Sequence, residues 1–150
     1  MNLTRFSDYA LRVLIYSATD PTRLFTIAEI ASGYGISENH LMKVVHRLAV
    51  LGLLETVRGK NGGLRLARPA SQINLGEILR QTEQGQPLVE CFEGGTGQCR
   101  IAPVCQLKPM LQEAEEAFYA VLDRYTLADM LGNRSAIIRL LPIEQRASHN

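Results

Sequence analysis

A mostly helical fold carrying one small β-hairpin is predicted by this sequence from three observations. Apolar residues recur at helical spacing over residues 5–18, 26–51, 75–83 and 106–125; the period changes to two over residues 54–67; and residues that start or stop helices stand at the ends of these runs. With 150 residues, 46% of them hydrophobic and 21% charged, the chain can bury a single core.

Each element has a local cause. Phe6, Tyr9, Ala10, Val13, Leu14 and Ser17 share one face of a first helix, which Asp20-Pro21 ends because proline excludes the preceding residue from helical dihedrals. Thr26-Ile-Ala-Glu29 has the form of a capping box, opening a second helix to about Ser32. Gly33-Tyr34-Gly35-Ile36 then turns the chain, and Ser37 is expected to cap a third helix that runs through Leu51 and closes at Gly52. Three helices with so short a turn between the second and third form a helix-turn-helix. Leu54, Thr56 and Arg58 alternate with Glu55 and Val57, Gly59-Lys60-Asn61-Gly62-Gly63 reverses the chain, and Leu64-Arg65-Leu66-Ala67 returns, which is a hairpin with a glycine-rich tip, a wing.

After Asn74 a helix from Leu75 to Glu83 leads into residues 84–105, which hold four glycines, two prolines and all three cysteines and keep no period. A helix resumes from about Gln106 to Tyr125, with Pro109 tolerated in its first turn. Its Leu107, Leu111, Ala114, Phe118, Val121 and Tyr125, spaced alternately by four and three, form the seam of a two-helix coiled coil and predict a homodimer. Thr126 is placed to cap a last short helix, Leu127 to Leu131. The expected organisation is therefore a winged helix-turn-helix with linking helix over 1–83, a cysteine-bearing loop over 84–105, a dimerisation helix and short end helix over 106–131, and a mobile tail over 132–150.

The net charge of +1 hides an asymmetry: residues 1–80 hold ten Lys and Arg against six Asp and Glu, residues 81–150 six against nine. Between positions 40 and 70, Lys43, Arg47, Arg58, Lys60, Arg65 and Arg68 face only Glu55, a basic patch suited to phosphates. A helix-turn-helix presents the start of its second helix to base edges in the major groove of double-stranded DNA. Those residues are Ser37, Glu38, Asn39 and His40, followed by Lys43 and Arg47. Asn39 can make a bidentate contact with adenine, Ser37 can bond a base or phosphate, and Lys43 and Arg47 can neutralise backbone charge. At the wing, Arg58, Lys60, Asn61 and Arg65 are the candidate contacts to the phosphate backbone or minor groove.

Cys91, Cys99 and Cys105 are separated by seven and then five residues in one polar loop. An odd number of cysteines argues against a disulfide framework, and three within so polar a stretch cannot all be core. A metal accounts for them better. Zinc needs a fourth ligand, and His40, His46 and His149 all lie elsewhere in the chain. An iron-sulfur cluster held by three thiolates can accept an unusual fourth ligand or leave a site open to small molecules. A thiol redox sensor or a zinc site stays open beside it.

Enzyme chemistry finds little footing. A catalytic cysteine needs a base and an orienting third group, and the loop offers only Glu90 and Glu93. There is no phosphate-binding glycine fingerprint, His-Glu-x-x-His or serine elbow. An iron-sulfur or thiol carrier enzyme using the winged helix for protein contacts is the remaining reading of that class. No apolar run approaches the roughly 18–20 residues that cross a bilayer, and the first residues lack the apolar core of a signal peptide, so no membrane partner and a cytoplasmic location are expected.

The opening Leu3-Thr4-Arg5-Phe6-Ser7-Asp8-Tyr9-Ala10-Leu11-Arg12, the wing Val57 to Gly63, the runs Glu90-Cys91-Phe92 and Cys99 through Cys105 to Lys108, and Tyr125-Thr-Leu-Ala-Asp129 together resemble the nitric-oxide-sensing repressors of the winged-helix family that includes the iron-sulfur regulator IscR. The likeness covers roughly residues 1–131. It implies a homodimer that binds a palindromic operator while an iron-sulfur cluster is intact and lets go when nitric oxide nitrosylates it. By that resemblance Cys91, Cys99 and Cys105 are cluster ligands, and Asp8, in the Phe-Ser-Asp-Tyr motif, is the fourth, reaching across from the other subunit; Arg12 is then the partner that holds the carboxylate. A 4Fe-4S cluster is favoured over 2Fe-2S on the same ground. The chain departs from the family in the longer spacing between Cys91 and Cys99, owing to Gly94-Gly95-Thr96-Gly97.

Overall fold

The computed structural model describes residues 2–85, 87–141 and 143. In chain order they form α1 (Arg5–Ala18), α2 (Ile27–Tyr34), α3 (Glu38–Val50), β1 (Leu54–Val57), β2 (Gly63–Leu66), α4 (Leu75–Thr82), α5 (Leu107–Leu122) and α6 (Arg134–Leu140), with short 3-10 turns at Ala70–Gln72, Ala102–Val104 and Leu127–Leu131. This is the predicted fold class, mostly helical with one two-stranded hairpin.

α1 is the central element. It begins at Thr4, whose hydroxyl accepts from the Ser7 amide at 3.1 Å, and ends at Thr19, whose hydroxyl donates to the Tyr16 carbonyl at 2.7 Å. Between these caps Ala10, Val13 and Leu14 are wholly buried. The capping box at Thr26 and Glu29 forms as expected, each side chain serving the other residue's amide. α2 runs on to Tyr34, past the expected end at Ser32, because Gly33 does not break it. A Cβ there would lie 3.0 Å from the Tyr16 ring and 3.3 Å from the Leu141 carbonyl, so glycine serves close packing, and the turn falls to Gly35 at φ 64°.

α3 packs Leu41, Val44, Val45 and Leu48 against α1. Burying Leu41 and Leu48 completely contributes about 1.5–3 kcal/mol each. The expected side-chain cap from Ser37 is absent; its carbonyl opens the helix instead, accepting from His40 and Leu41 at 3.1 and 3.2 Å. The wing pairs Leu54 with Leu66, Glu55 with Arg65, Thr56 with Leu64 and Val57 with Gly63, turning Leu54, Leu64 and Leu66 inward. Phe25 adds one further rung through reciprocal backbone bonds with Leu64 of 2.9 and 2.7 Å.

α4 starts where expected, with Asn74 Oδ1 accepting from the Glu77 amide at 3.0 Å. Its far end is tied to the start of α1: Glu83 Oε1 accepts from the Thr4 amide and hydroxyl at 2.8 and 2.9 Å, and the buried Ser7 hydroxyl donates to Thr82 at 2.8 Å. Three differences from the sequence reading lie beyond this point. α5 stops at Leu122, leaving Tyr125 past its end. The Leu127–Leu131 segment is a 3-10 turn, capped reciprocally by Thr126 and Asp129. Residues 134–140, assigned to a mobile tail, form α6, because Ile138 and Leu141 find the core and Arg134 Nε donates to the Thr19 carbonyl at 2.5 Å. The mobility expected of Pro142 and of residues 144–150 concerns positions outside the described residues.

Candidate nucleic-acid interface and cysteine loop

The face of α3 opposite its buried stripe is an open polar surface. Ser37, Glu38, Asn39, His40 and Lys43 are all exposed. The sequence reading did not include Met42 and His46 among the contacts, yet both are exposed on this helix and Met42 keeps 51% of its surface free. Helical spacing could have found them, since His46 follows Asn39 by two turns on the same face. Arg47 is half-buried, its Nη2 lying 3.4 Å from Gln84 Oε1 at the root of the cysteine loop. The His40 ring lies 6.4 Å from that of Tyr9 on α1.

At the wing tip Arg58, Lys60 and Asn61 are exposed, and Gly59 takes φ 110° to make the turn. Arg65 differs from them. Its Nε donates to Glu55 Oε2 at 3.0 Å directly across the hairpin, so a phosphate must compete with a carboxylate for it. Arg68 lies 3.8 Å from Glu77. The positive charge presented most freely by the wing is thus that of Arg58 and Lys60.

Asp8 sits in the first turn of α1, where a carboxylate suits the helix dipole. Arg12, one turn on, grips it through Nε at 3.1 Å and Nη2 at 2.9 Å. The same guanidinium lies 5.6 Å from the Tyr34 ring centroid at the end of α2, and burial pushes the Tyr34 hydroxyl up to about 12. Asp8 is therefore oriented by a residue that also touches the helix-turn-helix.

Cys91, Cys99 and Cys105 are half-buried free thiols. The inserted glycines fold back: Gly94 and Gly97 adopt φ 84° and 66°, the Gly97 amide donates to the Glu90 carbonyl at 3.0 Å, and the Thr96 hydroxyl to Glu90 Oε2 at 3.0 Å. The extra length between Cys91 and Cys99 is thus taken up in a turn that returns to the residue before Cys91. Three unbridged thiols are the right donors for an iron-sulfur cluster in kind. Among the described residues no group of three or more His, Cys, Asp or Glu is gathered to hold a metal ion.

α5 follows this loop and buries none of its residues. Leu107 and Val121 of the seam are 58% and 44% exposed, Ala114 is exposed, and Leu111 and Phe118 are half-buried. Among the described residues no helix is long and apolar enough to cross a membrane.

Residues 3–133 match the model of the Rrf2 family, described as iron-dependent transcriptional regulators. The chain is 49% identical over 146 residues to the HTH-type transcriptional regulator NsrR of Bacillus subtilis, covering 97% of this chain and all of that one. It is 47% identical over 142 residues to the protein of the same name from Geobacillus kaustophilus, covering 94% and 97%. Among solved structures, CymR, the global cysteine regulator of B. subtilis, matches with a TM-score of 0.65 at 27% identity, over 87% of this chain and 95% of that one. IscR of T. potens matches with a TM-score of 0.72 over 98% and 94%, a likeness of fold at 23% identity. NsrR and CymR are named as regulators, and the solved structures share this chain's fold. The chain belongs to the Rrf2 family of transcriptional regulators.

Proposed function

We propose that the chain acts as a cytoplasmic homodimeric repressor that binds double-stranded operator DNA and releases it in response to nitric oxide through an iron-sulfur cluster, 4Fe-4S in preference to 2Fe-2S. The observation that carries this reading is the position of the three thiols. All lie in the one loop that joins the DNA-reading half to α5, whose seam leaves Leu107, Ala114 and Val121 exposed. The family's description as iron-dependent supports an iron group there.

Cys91, Cys99 and Cys105 hold the cluster, with the partner subunit's Asp8 as the fourth ligand. When bound, the cluster supplies iron that reacts with nitric oxide. The chain's own residues do the rest. Arg12 keeps Asp8 aimed, and α1 carries Asp8 on one face while packing against α3 on another. A tie from one subunit's loop to the other's α1 therefore bears on the separation of the two recognition helices, which must match half-sites about 34–36 Å apart. On DNA, Asn39 reads adenine, Glu38 and His40 face base edges, Ser37, Lys43 and Arg47 meet phosphate or base, and Arg58, Lys60 and Asn61 extend the contact from the wing, with Arg65 behind them.

The test is an anaerobic visible spectrum of the purified protein before and after nitric oxide, with duplex binding followed on the same sample. Absorption near about 400 nm that collapses together with binding supports the reading. A colourless protein, after cluster reconstitution has been attempted, that binds the duplex with or without the gas rejects it in favour of thiol or zinc chemistry.

A further inference from the structure

The reading half and α5 meet at a contact the proposed function does not use. Arg80 of α4 grips Asp123, the residue that ends α5, with two bonds: Nη1 to Oδ1 at 2.7 Å and Nη2 to Oδ2 at 2.6 Å. The same guanidinium lies 4.8 Å over the Tyr119 ring, one turn earlier in α5. Asn74 Nδ2 donates to the Asp123 carbonyl at 2.7 Å, and the Leu75 amide to the Tyr125 carbonyl at 3.0 Å. Gly76 completes the seat, because a Cβ there would collide with Asp123 Oδ1. The first turn of α4 is thus shaped to receive the end of α5.

Arg80 and Asp123 are 47% and 40% exposed at their side chains, and an ion pair so exposed adds little to stability. What a bidentate guanidinium–carboxylate pair stacked on a tyrosine does supply is direction. Direction matters here because α5 has no fully buried residue and meets the core through Leu122 at its C-terminal end, beside the pair. A tilt of about 10° over a 16-residue helix about 24 Å long moves its far end by about 4 Å, more than one base-pair rise of about 3.4 Å.

We infer that the Arg80–Asp123 pair on Gly76 and Tyr119 is a positioning device that sets the angle between the dimerisation helix and the DNA-reading body, and so fixes the half-site spacing the dimer accepts. This rests on the proposal that the protein binds DNA as a homodimer. Arg80 and Asp123 act through the helices they join and touch no DNA themselves.

The experiment uses a duplex selected from a random pool by the wild-type protein, and versions of it with one or two base pairs inserted or removed between half-sites. Affinities are measured for wild type, Asp123→Asn and Arg80→Gln, with sedimentation and thermal melting on the same samples. The wild type is expected to lose about tenfold or more in affinity when the spacing changes. The variants are expected to remain folded dimers, to bind the parent duplex about tenfold more weakly, and to lose most of the discrimination between spacings. Variants that keep the wild-type spacing penalty, or that weaken binding equally at every spacing, overturn the inference and leave the proposed function standing. A wild type that selects no two-half-site duplex overturns both.

Discussion

Residues 5–82 and residues 84–122 treat water in opposite ways. The first span hides Ala10, Val13, Leu14, Phe25, Ile30, Leu41, Leu48, Leu53, Ile73 and Ile78 almost completely, and the hydroxyls of its buried Ser7, Ser17 and Thr19 each donate a hydrogen bond, as Ser17 does to the Val13 carbonyl at 2.9 Å. The second contains α5, at 16 residues longer than any other described helix, yet buries none of its described residues. That core is completed from beyond α5, by the fully buried Leu127 and by Met130, Leu131, Ile138 and Leu141 packed against it. The second span, with its half-buried thiols, sends only Leu122 against that core, and it leaves Leu107, Ala114 and Val121 of the seam exposed. The buried core thus lies with the DNA-reading elements and the open surface with the cysteine loop and α5, a division that suits the proposed switch.

The largest effects should separate the halves outright. Leu48→Ala removes a fully buried side chain and should cost about 2–5 kcal/mol in urea unfolding. Val121→Asp, on the seam, should leave the helical circular dichroism nearly unchanged while converting dimer to monomer in sedimentation. A Val121→Asp protein that stays dimeric would move the self-association surface off α5 and break the comparison. Within the reading half, Asn39→Ala should cost about 1–3 kcal/mol of discrimination at one base pair of a selected duplex. Equal weakening on all sequences would place Asn39 on phosphate instead.

Arg58→Ala should lower affinity modestly and reduce the slope of log K against log salt by about 0.9, the share of one phosphate contact. Arg65→Ala should change that slope less, because Arg65 already holds Glu55. The smallest effect belongs to the joint after α5. The Thr126 amide and hydroxyl hold the Asp129 carboxyl below the ordinary aspartate range. A depressed carboxyl contributes stability that is complete above the unfolded value of about 3.9 and is lost as pH falls through the lower folded value. Asp129→Asn should therefore melt below wild type at neutral pH and converge with it in acid.

The same division governs what could be read from the sequence. α1 to α4 and the wing follow from periodicity, from the Thr26 and Asn74 caps and from the glycine-rich tip, because each of these acts over a few residues. Gly33 misled for a related reason: glycine in a turn and glycine in a crowded helix look the same until the Tyr16 ring and the Leu141 carbonyl are placed beside it. α6 was missed because its reason to be ordered is the Thr19 carbonyl, far away in sequence. The Arg80–Asp123 pair escaped because neither residue marks a motif. The Glu55–Arg65 pair was within reach, since it follows from the hairpin register once the turn is located. The cysteines stand out in the sequence as candidate ligands because all three fall within one polar loop.

In the proposed function the cysteine loop governs DNA binding without being part of the surface that touches DNA. Cys99→Ala tests it most directly, by comparing its affinity for the selected duplex with that of wild type, under anaerobic conditions and after nitric oxide. The account predicts a folded, colourless dimer whose binding no longer changes with the gas. A Cys99→Ala protein that keeps the wild-type chromophore and still releases the duplex when nitric oxide is added would contradict it.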